Sequence, residues 1–579
     1  MLKRLAAYIG EYKKQTLLTP VMIIFEVSLE VAIPFLMARI INIGIANSDT
    51  SYITTTGLTM IGIALFSLLF GALAARFSST AAAGFAKNLR AALFSSVQEF
   101  SFANLDKFST ASLVTRLTTD VTNAQNTFMM LIRMAVRAPL MLLSSILMTI
   151  SINSSLAVIF LLASPLLAAI LAWVISIAHP RFLKMLKQYD KMNAVVQENL
   201  IGIRVVKAFV RENHETEKFT DASNRVRQLQ LAAERVVVWT MPIMQFVIYA
   251  CMLAIAWFGG VKVIKGTMLT GDLMSFMSYA MQILISLMML SMVFVMVIIT
   301  RASYERILEV LDEEPTIQNP VDGGLTSVND GSIKFSSVSF SYSPGSEERT
   351  LKDIELNIQP GETVGIIGAT GSAKTTLVQL IPRLYDVQSG SVYVGGHDVR
   401  EYNLQTLRDA VAMVLQNNVL FSGTIRENLK WGNEHATDED IAKVCRIAQA
   451  HDFILSFPNG YDTNLGQGGV NLSGGQKQRL CIARALLKNP KIMLLDDSLS
   501  AVDTATDNLI RAGLRKHLKG MTVLIIAQRI ASVMDADKII VLDEGTISAV
   551  GTHADLMRSS DIYSEVYFSQ RKGVDAHGA

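Results

Sequence analysis

Asp496 and Asp497 end the run IMLLDD, an apolar strand that closes on two adjacent carboxylates. One such carboxylate can hold a divalent cation, and its neighbour can draw a proton from an attacking water. Earlier in the chain, ETVGIIGATGSAKTTLVQLI reads as a strand, a Gly-rich turn and a helix. There Gly368-Ala-Thr-Gly-Ser-Ala-Lys374-Thr375 fits G-x-x-x-x-G-K-[ST] at every position but one. In such a turn the backbone N–H groups, here from Gly368, Thr370, Gly371, Ser372 and Ala373, wrap phosphates, and the helix start adds positive potential. Lys374 is placed to reach the β- and γ-phosphates. The Thr375 hydroxyl is placed to ligate magnesium, and Thr376 follows it into the helix. The one departure is Ala373, where the pattern has Gly. A methyl is small and alanine suits a helix start better than glycine, so nucleotide binding is expected to survive. Alone, this turn indicates only that a nucleotide phosphate is bound.

The elements around these residues divide in composition. A chain of 579 residues exceeds one ordinary domain. Half of it is hydrophobic and its mean hydropathy is +0.36, yet charged residues reach 18%, which suits a membrane domain joined to a soluble one. A net charge of +2 gives no support to a nucleic-acid partner. Cys251, Cys445 and Cys481 are scattered without metal-ligand spacing and read as reduced, buried thiols. The N-terminal MLKRLAAYIGEYKKQ is basic and amphipathic, and the apolar run behind it is too long for a signal core. It reads as an elbow helix on the membrane surface.

A spanning helix needs about 20 apolar residues. Six candidates lie at 16–45, 53–76, 128–150, 154–177, 240–263 and 272–300. The first, third and fifth connections are short. The second and fourth are long and rich in Lys and Arg, including Lys87, Arg90, Arg181 and Arg204. Positive connections stay cytoplasmic, so both termini are expected there. The long connections carry apolar residues at three- and four-residue intervals and read as spanning helices continued beyond the bilayer. Turns are expected at Leu105–Ser112 and Phe209–Glu215, at tips suited to docking another domain. Glu26 and Glu30 share a helix face, and Arg39, Arg133 and Arg137 lie in or near the spans. These charges either pair with one another or line a substrate path that favours cations. The methionines between Met274 and Met296 either pack or form an adaptable lining. Composition then places a transmembrane domain at 1–312, a polar linker at 313–332 and a nucleotide-binding domain at 333–579.

Leu472-Ser-Gly-Gly-Gln476, then KQRLCIARALLKNP, then IMLLDD follow in order at close spacing. With the phosphate turn ahead of them, the chain resembles the ATP-binding-cassette transporters along its whole length. One six-span domain followed by one cassette looks like a half-transporter of the exporter type. The resemblance implies a fold in two parts: an α-helical six-span membrane domain with long intracellular helices, and an α/β P-loop domain. It implies ATP and Mg2+ as ligands. It also implies roles. Tyr342 would stack on adenine. Gln416, in MVLQNNVLF, would touch magnesium and water, and Asp496 would hold the magnesium. Ser500 to Asp503 would communicate between two cassettes. Ser473, Gly474, Gly475 and Gln476 would present a helix start to ATP held by the opposite cassette, so a dimer is implied.

Two positions depart from the family's active pattern. Asp497 stands where the residue after the strand-end Asp is usually Glu, and Gln528, in VLIIAQRIASV, stands where the family usually has His. A carboxylate one methylene short sits away from the water, and about 1 Å of misplacement can lower a rate on the order of 100-fold. Glutamine donates a hydrogen bond but carries no proton or charge. Both changes weaken hydrolysis and spare binding. A third departure is Gln467, where exporters usually have Glu. Because LSGGQ is intact, the expectation is a heterodimer. This chain would supply a slow, degenerate site and a sound signature for the partner's competent site. Drugs, lipids or other small amphipathic compounds would move out of the cytoplasm or inner leaflet of a bacterial cell membrane. The alternatives are a slow homodimeric exporter and an ATP-gated channel or regulatory subunit. Six spans exclude a bare soluble ATPase or a DNA-repair cassette.

Overall fold

In lipid, a backbone has no hydrogen-bond partner but itself, and in the computed structural model each of the six long apolar runs expected to span is helical. The structure describes residues 2–343, 349–498, 501–517 and 520–575. Ser500 lies outside them. Six helices among the described residues are long and apolar enough to cross a membrane: Ala6–Ile45, Thr50–Glu99, Thr110–Ile152, Ser154–Ile201, Glu212–Ile264 and Thr270–Leu311. Each contains one of the expected spans. Their lengths of 40 to 53 residues show that the long connections are continuations of the spans, as their periodicity implied. Near the N-terminus, Gly10 at φ +53° breaks the helical turns of the elbow segment.

The chain divides into two compact units, Met1–Gln98 with Thr110–Glu313, and Glu99–Ser109 with Glu314–Ala579. In the first unit, Ile23, Val27, Val31, Ala74, Met141 and Tyr279 form one buried cluster, and Leu156, Phe160, Leu167, Ile255, Phe276 and Ile283 belong to another. The Tyr279 hydroxyl donates to the Val31 carbonyl at 2.7 Å. Beyond the apolar clusters, Arg306 grips the buried Asp120 with two hydrogen bonds of 2.8 and 2.5 Å. This fork ties the helix Thr270–Leu311 to the segment that opens Thr110–Ile152.

The first turn differs from expectation. The helix Thr50–Glu99 stops before Phe100, and a separate helix, Phe102–Lys107, follows. Its cause is local. The Ser101 side chain accepts from the Asn104 backbone N–H while the Asn104 side chain accepts from the Ser101 N–H, a reciprocal cap that starts a new helix. S-x-x-N is a weaker form of the usual S-x-x-E/Q pattern, and apolar periodicity runs through it unbroken. The second turn falls at Phe209–Arg211, shorter than expected because helix resumes at Glu212. Val210 takes φ +53° there, a region that β-branched residues rarely enter.

In the second unit a six-stranded sheet runs in the order Thr546–Gly551, Lys538–Asp543, Thr363–Gly368, Thr522–Ile526, Ile492–Asp496, Val411–Val414. All neighbours pair in parallel except the first two. Met493, Leu495, Val523 and Ile525 face one apolar cluster, and Ile492, Leu494, Leu524 and Ile526 face the other. Burial on both faces is why these strands read as unbroken apolar runs. A four-stranded antiparallel sheet, with Ile333–Phe340 between Leu351–Ile358 and Ser389–Val394, completes the unit.

Candidate functional site

Parallel strands deliver their following loops to one edge, and ligands bind in the crevice outside their carboxyl ends. Four strands do so here. Thr363–Gly368 ends at the phosphate turn and Val411–Val414 leads to Gln416. Ile492–Asp496 ends in the paired carboxylates, and Thr522–Ile526 leads to Gln528. Register decides which of these meet. Asp496 pairs with Ile526 across the ladder, and the Asp497 N–H donates to the Ile526 carbonyl at 3.1 Å. The residues one and two past the strand ends therefore face each other. Gln528 Nε2 donates to Asp497 Oδ2 at 2.8 Å.

The two positions that depart from the active pattern are thus joined to each other. Asp497 also sits at φ +47°, a left-handed conformation that Asp tolerates better than most residues. Burial pushes its carboxyl above the ordinary range, against the Gln528 hydrogen bond and the charges of Lys374 and Arg529.

Asp496 is 2% exposed, and its Oδ1 accepts the Thr375 hydroxyl at 3.0 Å. Burial raises its carboxyl too, with the Thr375 hydrogen bond opposing and the charge of Asp497 adding to the rise. Burial holds the Lys374 ammonium below its usual range, while both carboxylates pull the other way. Two hard oxygen donors in contact, with carboxyls that local charge leaves undercompensated, fit a divalent cation of the magnesium type. Thr375, Asp496 and Gln416 would hold it. Lys374 Nζ donates to the Gly368 and Ala369 carbonyls at 2.9 and 2.8 Å, so the loop cradles its own lysine.

Gly368, Thr370, Gly371, Ala373, Lys374, Thr375, Thr376, Gln416, Asp496, Asp497 and Gln528 all line one cleft of ≈ 590 Å³. Ser372 is buried beneath it, near enough to Lys374 to accept at 3.4 Å. Tyr342 stands at the side, half exposed, its hydroxyl 2.9 Å from that of Thr376. Several cleft residues were not anticipated, among them Thr350, Val541 and Asp543. Ile562, Tyr563 and Val566 come from the C-terminal helix Asp561–Asp575, where only an amphipathic spacing marks them. Ser473, Gly474, Gly475 and Gln476 are not among the described residues that line the cleft. They start the helix Gly474–Leu487, where Ser473 and Gln476 cap one another reciprocally. Gln478 Oε1 accepts the Ala501 N–H at 3.1 Å, which ties Ala501 to this helix. Asp503 accepts from the Thr506 N–H at 2.9 Å and opens the next helix, and that backbone bond holds its carboxyl below the usual range.

Ala373 needs a correction. It is not a helical residue that profits from alanine. It caps the helix Lys374–Gln379 at φ +70°, ψ +23°, in the left-handed region where a Cβ meets the following carbonyl. Glycine is at ease there and alanine is strained by roughly 1 kcal/mol. Relief of that strain gives an expected result: Ala373→Gly tightens ATP binding by about fivefold, the equivalent of roughly 1 kcal/mol. Titration of the purified protein with ATP and Mg2+ checks it, and unchanged affinity would mean that the loop carries the strain equally with and without nucleotide.

Glu26 and Glu30, four residues apart on the first membrane helix, converge on one guanidinium. Arg137 pairs with both, at 2.7 Å for Glu30. Glu26 is buried and Glu30 partly exposed. The three cysteines among the described residues are free and buried, as expected, and burial pushes the Cys445 thiol up to about 12.

Two family models cover most of the chain. The one described as "ABC transporter transmembrane region" matches residues 16–303, and the one described as "ABC transporter" matches residues 351–500. The chain is 37% identical to the uncharacterized ABC transporter ATP-binding protein YfiB of Bacillus subtilis over 559 residues, 96% of each chain. It is 31% identical to the putative multidrug export ATP-binding/permease protein YgaD of the same organism, over 98% of this chain and 99% of that one. Its fold is that of a bacterial Atm1-family ABC exporter solved with ATP bound, at a TM-score of 0.84 and 23% identity, over 97% and 99% of the two chains.

Proposed function

This chain belongs to the ATP-binding-cassette transporters, and we propose that it works as one half of a heterodimeric exporter whose own nucleotide site chiefly holds ATP. It is a multi-pass membrane protein with the exporter fold and an ATP-binding domain, the architecture of an ATPase-coupled half-transporter. The finer reading concerns which of two composite sites does the faster hydrolysis.

The observation that carries it is the 2.8 Å hydrogen bond from Gln528 to Asp497. A base that activates water needs reach, a free lone pair and a partner that can share charge as the proton moves. Asp497 lacks the extra methylene, and one of its oxygens is engaged by an amide. Gln528 neither accepts nor releases a proton at neutral pH. Binding groups are spared. The turn Gly368–Ala373 supplies backbone N–H groups to the phosphates, Lys374 the compensating charge, and Tyr342 a flat ring for the base. Bound Mg2+ would add charge neutralisation of the phosphate oxygens, held by Thr375, Gln416 and Asp496. The intact helix start at Ser473–Gln476, exposed at Ser473 and Gly474, is left to serve ATP on a second chain.

The second turn supports a partner as well. Phe209 and Val210 are 73% and 80% exposed on the single chain, an apolar tip that invites cover. The Lys- and Arg-rich long connections support cytoplasmic termini in a bacterial cell membrane. Drugs, lipids or other amphipathic molecules are the substrates that an apolar, methionine-rich span region would admit. The intact signature also admits a second reading, a slow homodimer in which each copy completes the other.

Co-purification with a second half-transporter and measurement of ATP turnover test the proposal. Removing the partner chain's matching carboxylate is expected to lower turnover by about 100-fold or more, and Asp497→Ala by no more than about threefold. Comparable losses would refute the asymmetry, and full turnover by this chain purified alone would favour the homodimer.

A further inference from the structure

The segment Glu99–Ser109 lies in sequence between two membrane helices, yet it belongs to the nucleotide-binding unit. Its anchors are specific. Asn104, 1% exposed, donates to the Glu314 carbonyl at 2.9 Å and accepts the Thr316 N–H at 3.0 Å. The Tyr385 hydroxyl donates to Asp106 Oδ2 at 2.7 Å. Phe102 meets the Tyr385 ring edge-on, with centroids 6.0 Å apart. The Tyr385 ring also meets Tyr342 edge-on at 5.2 Å, and Phe340 lies 5.6 Å away. Tyr342 is in turn tethered through its hydroxyl to Thr376, on the helix that follows the phosphate turn.

We infer that Tyr385 and Asp106 are positioning residues that couple a purine base stacked on Tyr342 to the tip Phe102–Lys107. This rests on the adenine role proposed for Tyr342. Tyr385 is 8% exposed and in ring contact with both Tyr342 and Phe102 of the tip, so neither can move far without repacking it. Edge-on ring pairs have a directional preference, so fixing the plane of Tyr342 constrains the ring of Tyr385. The hydroxyl of Tyr385 then fixes Asp106 by a short hydrogen bond to a charged acceptor, the stronger class of such bonds. Chain continuity runs from Phe102–Lys107 directly into the helices Thr50–Glu99 and Thr110–Ile152. Coupling is reciprocal, so the position of the tip also sets the affinity for a base, not only for phosphates.

The test follows amide hydrogen exchange of residues 99–109 in the full-length protein in lipid nanodiscs, with Mg2+ and either ATP or tripolyphosphate, which lacks a base. ATP is expected to slow exchange of this segment by about fivefold or more, and saturating tripolyphosphate is expected not to. Tyr385→Phe and Asp106→Ala each lose the ATP-dependent slowing and lower ATP affinity by no more than the coupling they remove, about fivefold. Asp106→Asn, whose amide oxygen still accepts the hydroxyl, retains it. That rescue is what a merely structural contact with a charge would not give. Wild-type slowing in both Tyr385→Phe and Asp106→Ala would overturn the inference, as would equal slowing by tripolyphosphate. Tyr342→Ala keeps the two readings distinguishable. Weaker ATP binding with unchanged tripolyphosphate binding upholds the adenine role, whereas unchanged ATP binding removes that role and the inference with it.

Discussion

Gly474→Asp is expected to lower ATP turnover of the assembled transporter by about 100-fold or more, the scale of losing a preorganised donor set, because the proposed role of this helix start is to face the phosphates of ATP on a second chain. The position isolates function from folding. Gly474 is exposed and begins the helix Gly474–Leu487, and a Cβ added there meets only the Ala501 methyl at 3.6 Å, an ordinary contact. An acidic side chain in the first turn of a helix is favoured by the helix dipole, so the fold is kept or slightly stabilised. The same carboxylate occupies the space in which the helix start would receive a phosphate, and repels it. Gly475 would be a poorer choice, because a Cβ there comes within 2.8 Å of the Ala501 carbonyl and would disturb the neighbouring loop.

The contrast lies with Asp497→Ala in the same chain, expected to lower turnover no more than about threefold. Gly474→Asp spares the groups that line this chain's own cleft, so ATP binding to Lys374 and its loop should persist in both variants. Turnover measured side by side with thermal unfolding decides the outcome. Two equal losses with unchanged unfolding temperatures would mean that this chain's cleft hydrolyses as fast as the one its signature completes.

Motif spacing carried the site a long way because the site is made of strand ends. IMLLDD and VLIIAQ are each an apolar run followed by a polar residue, and a parallel sheet brings such ends to one edge regardless of what intervenes. Register, which spacing does not encode, decided the rest. Only the pairing of Asp496 with Ile526 shows that Asp497 and Gln528, singled out separately, share a hydrogen bond. Ala373 was misjudged for a related reason. Residue identity does not reveal whether the position before Lys374 is the first helical residue or a left-handed cap, and the two reverse the preference between Ala and Gly. The helix Phe102–Lys107 escaped because the residue that answers its Ser101 cap is Asn104 rather than Glu or Gln. Tyr385 escaped because its neighbours come from two distant stretches, 102–106 and 340–342, and no local period marks it.

Arg137→Met is expected to destabilise the membrane unit by about 3–5 kcal/mol, the range for removing one partner of a buried ion pair. Arg137 balances two carboxylates, and Glu26, at 11% side-chain exposure, has little access to water. Without the guanidinium, Glu26 and Glu30 would face each other's charge in an apolar surround. The folded yield in detergent and the unfolding temperature should both fall sharply. Adding Glu26→Gln and Glu30→Gln removes the uncompensated charge and should restore most of the stability, since a buried ion pair replaced by neutral groups of similar shape is often near neutral. That rescued triple variant also decides between the two roles open to the glutamates. If the cluster serves only to hold the first and third membrane helices together, the triple variant exports cationic and neutral dyes as the wild type does. If the carboxylates also line the path of a cation, it folds, handles neutral dyes normally and loses export of cationic ones.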